Sequence, residues 1–247
     1  MPTNEILKSL NARKSIRAYT DRDISPECKE RILEAATASP TAGNQQLYTV
    51  LDITSQELKD RLAVTCDNQP FIAKGKMILV FCADFQKWYR AFELAGCSPR
   101  KPGPGDFLLA VEDAAIAAQN AVTAAESLGI CSCYIGDIME NYEIHRELFH
   151  LPDFVFPALM LVFGYPTETQ LERPKPRRAP LDFIVHENVY PEFTPEEIRE
   201  NIADLKGQDF DQWMQRFCQR KYHADFSLEM SRSVEAALAR FQGVEEE

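Results

Sequence analysis

The chain has 247 residues, 45% of them hydrophobic, and a formal net charge of -11, which is enough apolar material for a full core in one large domain or two small ones. An acidic balance opposes nonspecific binding to nucleic acid or anionic lipid, since both need a broad positive surface, so neither partner is expected. The longest apolar runs, Met77–Ala83 and Phe156–Phe163, fall short of the roughly 20 residues a spanning helix needs. No secretory signature opens the chain, and seven scattered cysteines fit reduced, mostly buried thiols in a cytoplasmic protein.

Residues 4–12 read as a short helix, followed by an extended Ser15-Ile16-Arg17-Ala18-Tyr19 whose alternation turns Ile16 and Ala18 inward and Arg17 outward. Ser25 caps the next helix, with Pro26 at its first position, and Pro40 limits it to about Ser39. A polar loop, 39–46, precedes a strand near 48–53, a helix near 55–65 and a buried strand near 77–84. The most regular element runs from Asp106, read as the N-cap, to Gly129, read as the residue that stops it. Eight alanines between Ala110 and Ala125 let neighbours approach it closely, and at roughly 33 Å it could cross a domain and also form a subunit seam. A strand at about 131–136, a helix near 141–150, a strand over 156–163, an irregular Pro-rich arm from Pro166 to Pro191, and helices near 195–220 and 227–242 follow, with Glu245–Glu247 as a solvated tail. The pattern is α+β, a central sheet flanked by helices with an extended C-terminal arm. The expected organisation is one domain over 1–190, arm included, and a C-terminal helical extension over 191–247 packed on it.

Several chemistries lack their residues. The sequence holds neither a dinucleotide-binding glycine pattern nor a P-loop, no histidine pair at metal spacing and no nucleophile elbow. What stands out is two cationic clusters in an acidic chain, Arg13-Lys14-Ser15-Ile16-Arg17 and Lys175-Pro176-Arg177-Arg178. Guanidinium and ammonium groups gathered at two distant points suit one small phosphate-bearing ligand. With no evident catalytic acid, base or nucleophile among the side chains, an organic cofactor such as a flavin would carry the chemistry.

Five stretches then resemble the nitroreductase family: Arg13–Tyr19, the loop Pro40–Gln46, Asn68-Gln69-Pro70-Phe71-Ile72, Leu128–Asp137, and Lys175–Leu181 in the arm. The resemblance implies a homodimeric, mostly antiparallel α+β fold holding flavin mononucleotide (FMN) noncovalently at the subunit interface, with NAD(P)H as substrate and nitroaromatics, quinones or flavins as acceptors. Carried over by position, Arg13, Lys14, Ser15 and Arg17 match the segment at the phosphate, ribityl chain and pyrimidine edge, and Lys175 with Arg177 or Arg178 matches a second phosphate clamp. Gln69 matches a polar contact to the ring, Tyr134, Ile135 and Gly136 the segment beside it, and Pro40, Thr41, Asn44 and Gln46 the loop given by the other subunit. Lys14 or Arg17 would supply a positive charge near flavin N1. The sequence departs from the family pattern at Cys131 and Asp137, where glycines are common, and in the arm by one extra residue. No side chain is expected to act as catalytic residue or metal ligand, and Cys131 and Cys133 are read as small apolar fillers. Two other readings stay open: an FMN-binding sensory or storage module without turnover, and a specialised dehydrogenase or dehalogenase on the same fold.

Overall fold

The structure, a computed structural model, describes residues 4–202 and 207–243, so the acidic tail Glu245–Glu247 lies outside the described residues. Contacts divide the chain into two compact units, Met1–Arg173 with Glu229–Glu247, and Pro174–Leu228.

The larger unit is built on a four-stranded sheet of order β1-β2-β4-β3, formed by β1 (Tyr48–Asp52), β2 (Met77–Asp84), β3 (Cys131–Ile135) and β4 (Val155–Gly164). Every pairing is antiparallel. The run Met77–Asp84 is buried throughout because both faces of the sheet are covered. Met77, Leu79, Phe81 and Ala83 enter one core, and Ile78, Val80 and Cys82 enter the other. In β4 the alternation changes phase, with Phe156, Ala158, Leu161 and Phe163 on one face and Val155, Met160 and Val162 on the other. The change falls where the register slips between Phe81 and Cys82, and that irregularity is also where Pro157, which cannot donate to a ladder, is tolerated.

Helices cover both faces. On the first lie α2 (Pro26–Thr37) and the long α5 (Pro104–Ser127), whose Phe107, Ala110, Ala114, Ala117, Ala118, Ala121, Val122 and Ala125 are all buried in that core. Fully burying an aliphatic or aromatic side chain contributes about 1.5–3 kcal/mol, and the small alanines of α5 leave room for the sheet's Phe81, Phe156 and Phe163. Gly129, in the left-handed region at φ 72°, ends α5 as expected. Its start differs from the expectation. Gly103 is the N-cap, Pro104 stands at the first position, and Asp106 sits in the first turn, where its carboxylate accepts the Gly103 N–H at 2.7 Å. On the second face, α3 (Gln56–Thr65) buries Leu62 and Ala63.

The remaining elements of this unit are α1 (Glu5–Ala12), α4 (Gln86–Leu94), α6 (Tyr142–Leu148) and a short α7 (Glu168–Glu172). The expectation lacked α4. The extended segment 15–20 is tied down by Ile16 N–H to Ser132 O at 3.1 Å, Thr20 N–H to Tyr165 O at 2.8 Å and a bridge between Tyr19 and Pro166. Ile16 is buried and Arg17 exposed as the alternation requires, whereas Ala18 is only half-buried. Gly164 is required here, since a Cβ at that position would stand 2.6 Å from the Tyr19 ring.

The second unit, Pro174–Leu228, holds α8 (Leu181–Ile184), α9 (Pro195–Asn201), α10 (Phe210–Lys221) and the first residues of α11 (Asp225–Phe241), whose later part gives Ala237 and Phe241 to the first core. The expected helix over 195–220 is therefore two helices. The arm is also less irregular than expected, because α7 and α8 interrupt it.

Candidate functional site

The first cationic cluster lies along the β3 edge of the sheet. Arg13 is half-buried, its guanidinium 5.4 Å from the centre of the Tyr134 ring, and its Nε and Nη2 are buried with no hydrogen-bond partner. The Glu126 carboxylate is near enough to feel its charge, but a guanidinium without hydrogen-bond partners is costly unless an anion meets it. Lys14 lies beside it, its Nζ donating to the carbonyls of Leu171, at 2.6 Å, and Arg173. Two of its three donors are thus occupied, leaving one for a ligand. The Arg173 guanidinium donates to Ser15 O at 3.3 Å, and the Arg17 N–H donates to Gln170 Oε1 at the same distance. Sequence reasoning missed both Gln170 and Arg173, which fasten the end of α7 onto the cluster some 153 to 159 residues away.

The exposed Arg17 stands over Phe71, 6.0 Å from the ring centre, next to the turn that carries Gln69. That turn follows α3 through Asp67 and Asn68, both left-handed at φ 56° and 50°, a conformation Asp and Asn tolerate. The Gln69 N–H closes it on Ala63 O at 2.7 Å. From there the Gln69 amide donates to Cys66 O at 3.0 Å and to Asp137 Oδ2 at 2.7 Å. Tyr134 donates its hydroxyl to Gln119 Oε1 at 3.2 Å, Ile135 is buried, and Gly136 opens the short turn that begins with Asp137. Arg13, Lys14, Ser15, Arg17, Gln69, Tyr134, Ile135 and Gly136 therefore share one edge of one unit, with Arg13 over the Tyr134 ring and Arg17 over Phe71 beside the Gln69 turn.

Burial pushes the Tyr134 phenol up to about 12, Arg13 opposing it, so the phenol stays protonated. Burial, and next the Glu126 carboxylate, push the Cys131 thiol up to about 12. The buried Cys133 thiol is likewise raised, with Arg17 and the Ser15 hydroxyl working against the shift. Thiols held protonated are poor nucleophiles and poor metal ligands, and no group of metal-binding side chains occurs among the described residues.

The loop Pro40–Gln46 is elsewhere. It leads into Tyr48 at the start of β1, the opposite edge of the sheet. Tyr134 pairs with Leu161, Leu161 with Leu79, and Leu79 with Asp52 at the far end of β1. The loop is thus three strands across, about 14 Å, and four residues along, another ~14 Å, from the Tyr134 row. Within one chain the structure does not bring Pro40, Thr41, Asn44 and Gln46 to the cluster. The loop is nonetheless built with care, with Gly43, Asn44 and Gln46 left-handed. The Asp113 carboxylate, buried in α5, accepts the N–H groups of Ala42 and Leu47 at 3.0 Å each, and the Trp88 indole donates to Gln45 O at 2.6 Å. Lys175, Arg177 and Arg178 are exposed and belong to the second unit.

The model of the nitroreductase family matches residues 10–165. The chain is 31% identical over 233 residues to an FMN reductase [NAD(P)H] of Bacillus subtilis, covering 94% of this chain and 90% of that one. It is 35% identical over 190 residues to the oxygen-insensitive NADPH nitroreductase of Salmonella typhimurium, covering 76% and 75%. Among solved structures, B. megaterium NfrA2 superposes with a TM-score of 0.85 at 29% identity, over 99% of this chain and 100% of that one.

Proposed function

The chain belongs to the nitroreductase family, and on that premise we propose that it is an FMN-containing oxidoreductase that takes reducing equivalents from NAD(P)H and passes them to nitroaromatics, quinones or free flavin. The observation that carries the reading is the Arg13 guanidinium, half-buried over Tyr134 with two unpartnered nitrogens and the Lys14 ammonium beside it. Such a site fits a phosphate monoester with an aromatic body. Arg13, Lys14, Ser15 and Arg17 hold the phosphate and ribityl side, with Lys175 and Arg177 or Arg178 as the second clamp. Gln69, Tyr134, Ile135 and Gly136 line the ring. When bound, FMN supplies hydride acceptance and donation at N5, in two half-reactions that share one open face.

A second copy completes the site in this reading. The loop with Pro40, Thr41, Asn44 and Gln46 is too far from its own chain's cluster to touch the same ligand, and the apolar Leu108, Leu109 and Ile116 of α5 are exposed, as are Ile6 and Leu10 of α1. No helix of the described residues is long and apolar enough to cross a membrane.

Mixed anaerobically with NADH or NADPH, the yellow protein is expected to bleach, and a quinone or nitroaromatic added afterwards to restore the colour without more nicotinamide. Parallel double-reciprocal lines would follow. Reduction by dithionite but by neither nicotinamide would turn the reading to a flavin-binding module. Arg13→Ala is expected to weaken FMN binding about 10- to 100-fold, from the loss of a charge-assisted bond, as read by fluorescence titration of the apoprotein.

A further inference from the structure

Where the chain passes from α3 into β2, two cavities lie side by side, both inside the larger unit. One, of about 390 Å³, is polar and sets Lys59, Lys74 and Lys76 against Asp21 and Asp23. The other, of about 470 Å³, is an apolar groove past Ala63, Val64 and Pro70. They meet at Gln56, Ala73 and Lys74, which line both. The Gln56 amide holds that common wall in place, donating to Asp60 Oδ1 at 2.8 Å and to Ala73 O at 3.1 Å. None of the residues assigned to the flavin lines either cavity.

The charges of the polar cavity do not cancel. Lys76 is paired with Asp23 at 3.3 Å, and behind it Lys29 is paired with Asp52. Lys59 and Lys74 then stand against Asp21 alone, an excess of one positive charge. Among the described residues the half-buried Lys59 ammonium forms no ion pair and donates to the Gly75 carbonyl at 3.2 Å, which occupies one of its three hydrogens. Burial pulls this ammonium below its usual range; Asp52 opposes the shift, and Lys29 and Lys76 add to it. One negative charge beside Lys59 would balance the group and reverse that shift, whereas a dianion would overshoot and meet Asp21 and Asp23. In the groove, Asp60 disfavours a second carboxylate at the far end of a ligand.

We propose that the paired cavities bind a small amphipathic monocarboxylate, its carboxylate between Lys59 and Lys74 and its apolar body along Val64 and Pro70. Lys74, on the common wall, joins the two halves: its ammonium serves the head and its stem extends the apolar surface under the body. The site does not depend on the FMN assignment.

Calorimetric titration of the purified protein, flavin included, with 2-naphthoate, with its neutral amide and with acetate separates head from body. The wild type is expected to bind 2-naphthoate with a Kd below about 1 mM, at least about tenfold tighter than the amide, which lacks the charge, or acetate, which lacks the body. Two variants are expected to weaken 2-naphthoate about tenfold or more. Lys59→Met removes the charge and keeps the bulk of the stem, and Val64→Asp sets a carboxylate in the groove at a side chain that is already 63% exposed. No binding of 2-naphthoate by the wild type, or equal affinity for the amide, would overturn the proposal. So would unchanged affinity in Val64→Asp, which would place the ligand elsewhere on the protein, the flavin face included. Should Lys59→Met melt abnormally, the exposed Lys74→Met takes its place with the same expectation, and unchanged affinity there overturns the proposal equally.

Discussion

The two units of the chain are made differently. The larger one has a core on each face of its sheet, with Phe81, Phe156 and Phe163 wholly or almost wholly buried. In the smaller, Pro174–Leu228, no described residue is buried. Its order comes from local devices. Thr194 and Glu197 form a capping box on α9, Asp209 caps α10, Arg199 pairs with Asp211 at 2.7 Å, and Trp213 stacks on Phe217 with ring centres 4.8 Å apart. Caps are worth about 1 kcal/mol each and exposed ion pairs less, whereas a core contributes tens of such increments. The larger unit is thus held by burial, and the described residues of the smaller one by local caps, ion pairs and ring contacts. Of the cationic residues singled out in the sequence, Arg13 belongs to the larger unit and Lys175, Arg177 and Arg178 to the smaller.

The strongest way to break this contrast is to cut into each unit in turn. Phe156→Ala should cost about 3–5 kcal/mol in urea unfolding, while Trp213→Ala in the smaller unit should move the main transition little. Equal losses would show that the smaller unit is part of the same cooperative core. Next comes Asp113→Ala, which strips the buried Leu47 N–H and the half-buried Ala42 N–H of their carboxylate acceptor. A loss of about 3 kcal/mol is expected, with flavin affinity falling alongside, and a loss of affinity without destabilisation would mean that the loop is held by other means.

A smaller effect sharpens the picture of the larger unit's interior. Because burial, and next the charge of Asp137, hold the Glu140 carboxyl above its ordinary value in the folded protein, at about 8, folding favours its protonated form. Below about pH 4.5 the folded and unfolded states are both protonated and the group is neutral in effect. As pH rises toward 8 the unfolded chain ionises first, so the wild type loses stability across that window and then levels off. Glu140→Gln should flatten the fall, with a Tm a few degrees above wild type at pH 8 and equal to it at pH 4.5. A difference that did not vary with pH would remove Glu140 from the account of this fall. The least expected effect is that of Thr194→Ala, about 1 kcal/mol and confined to the smaller unit. Hydrogen exchange should speed up over α9 while the sheet stays protected.

Legibility in the sequence followed physical locality. Met77–Ala83 announced a strand buried on both faces because no polar residue interrupts it, and α2 was readable from Ser25 and Pro26. By contrast, α4 follows β2 at once with Phe85 in the cap position, and the carboxylate that accepts its Lys87 N–H at 3.4 Å is Asp84, the last residue of the strand, so no separate capping residue marks its start. Asp106 was displaced by three positions from its assigned role because a carboxylate serves equally at the cap and in the first turn. In the site, the cations could be found because they cluster, whereas the bond from Gln69 to Asp137 spans 68 residues and has no local signal. Asp113 was equally hidden, since one acid among alanines resembles the wet side of a helix until the fold buries it.

The placement of the polar loop and the cationic cluster on opposite edges of the sheet has a genetic consequence. Each chain of a dimer would hold complementary halves of two sites, so a chain damaged in the loop and a chain damaged in the cluster could rescue each other. Refolding Asn44→Ala together with Arg13→Ala should give hybrids in which one site inherits both defects and the other inherits neither. With random pairing, roughly a quarter of all sites would then bind FMN at wild-type affinity, although neither parent does.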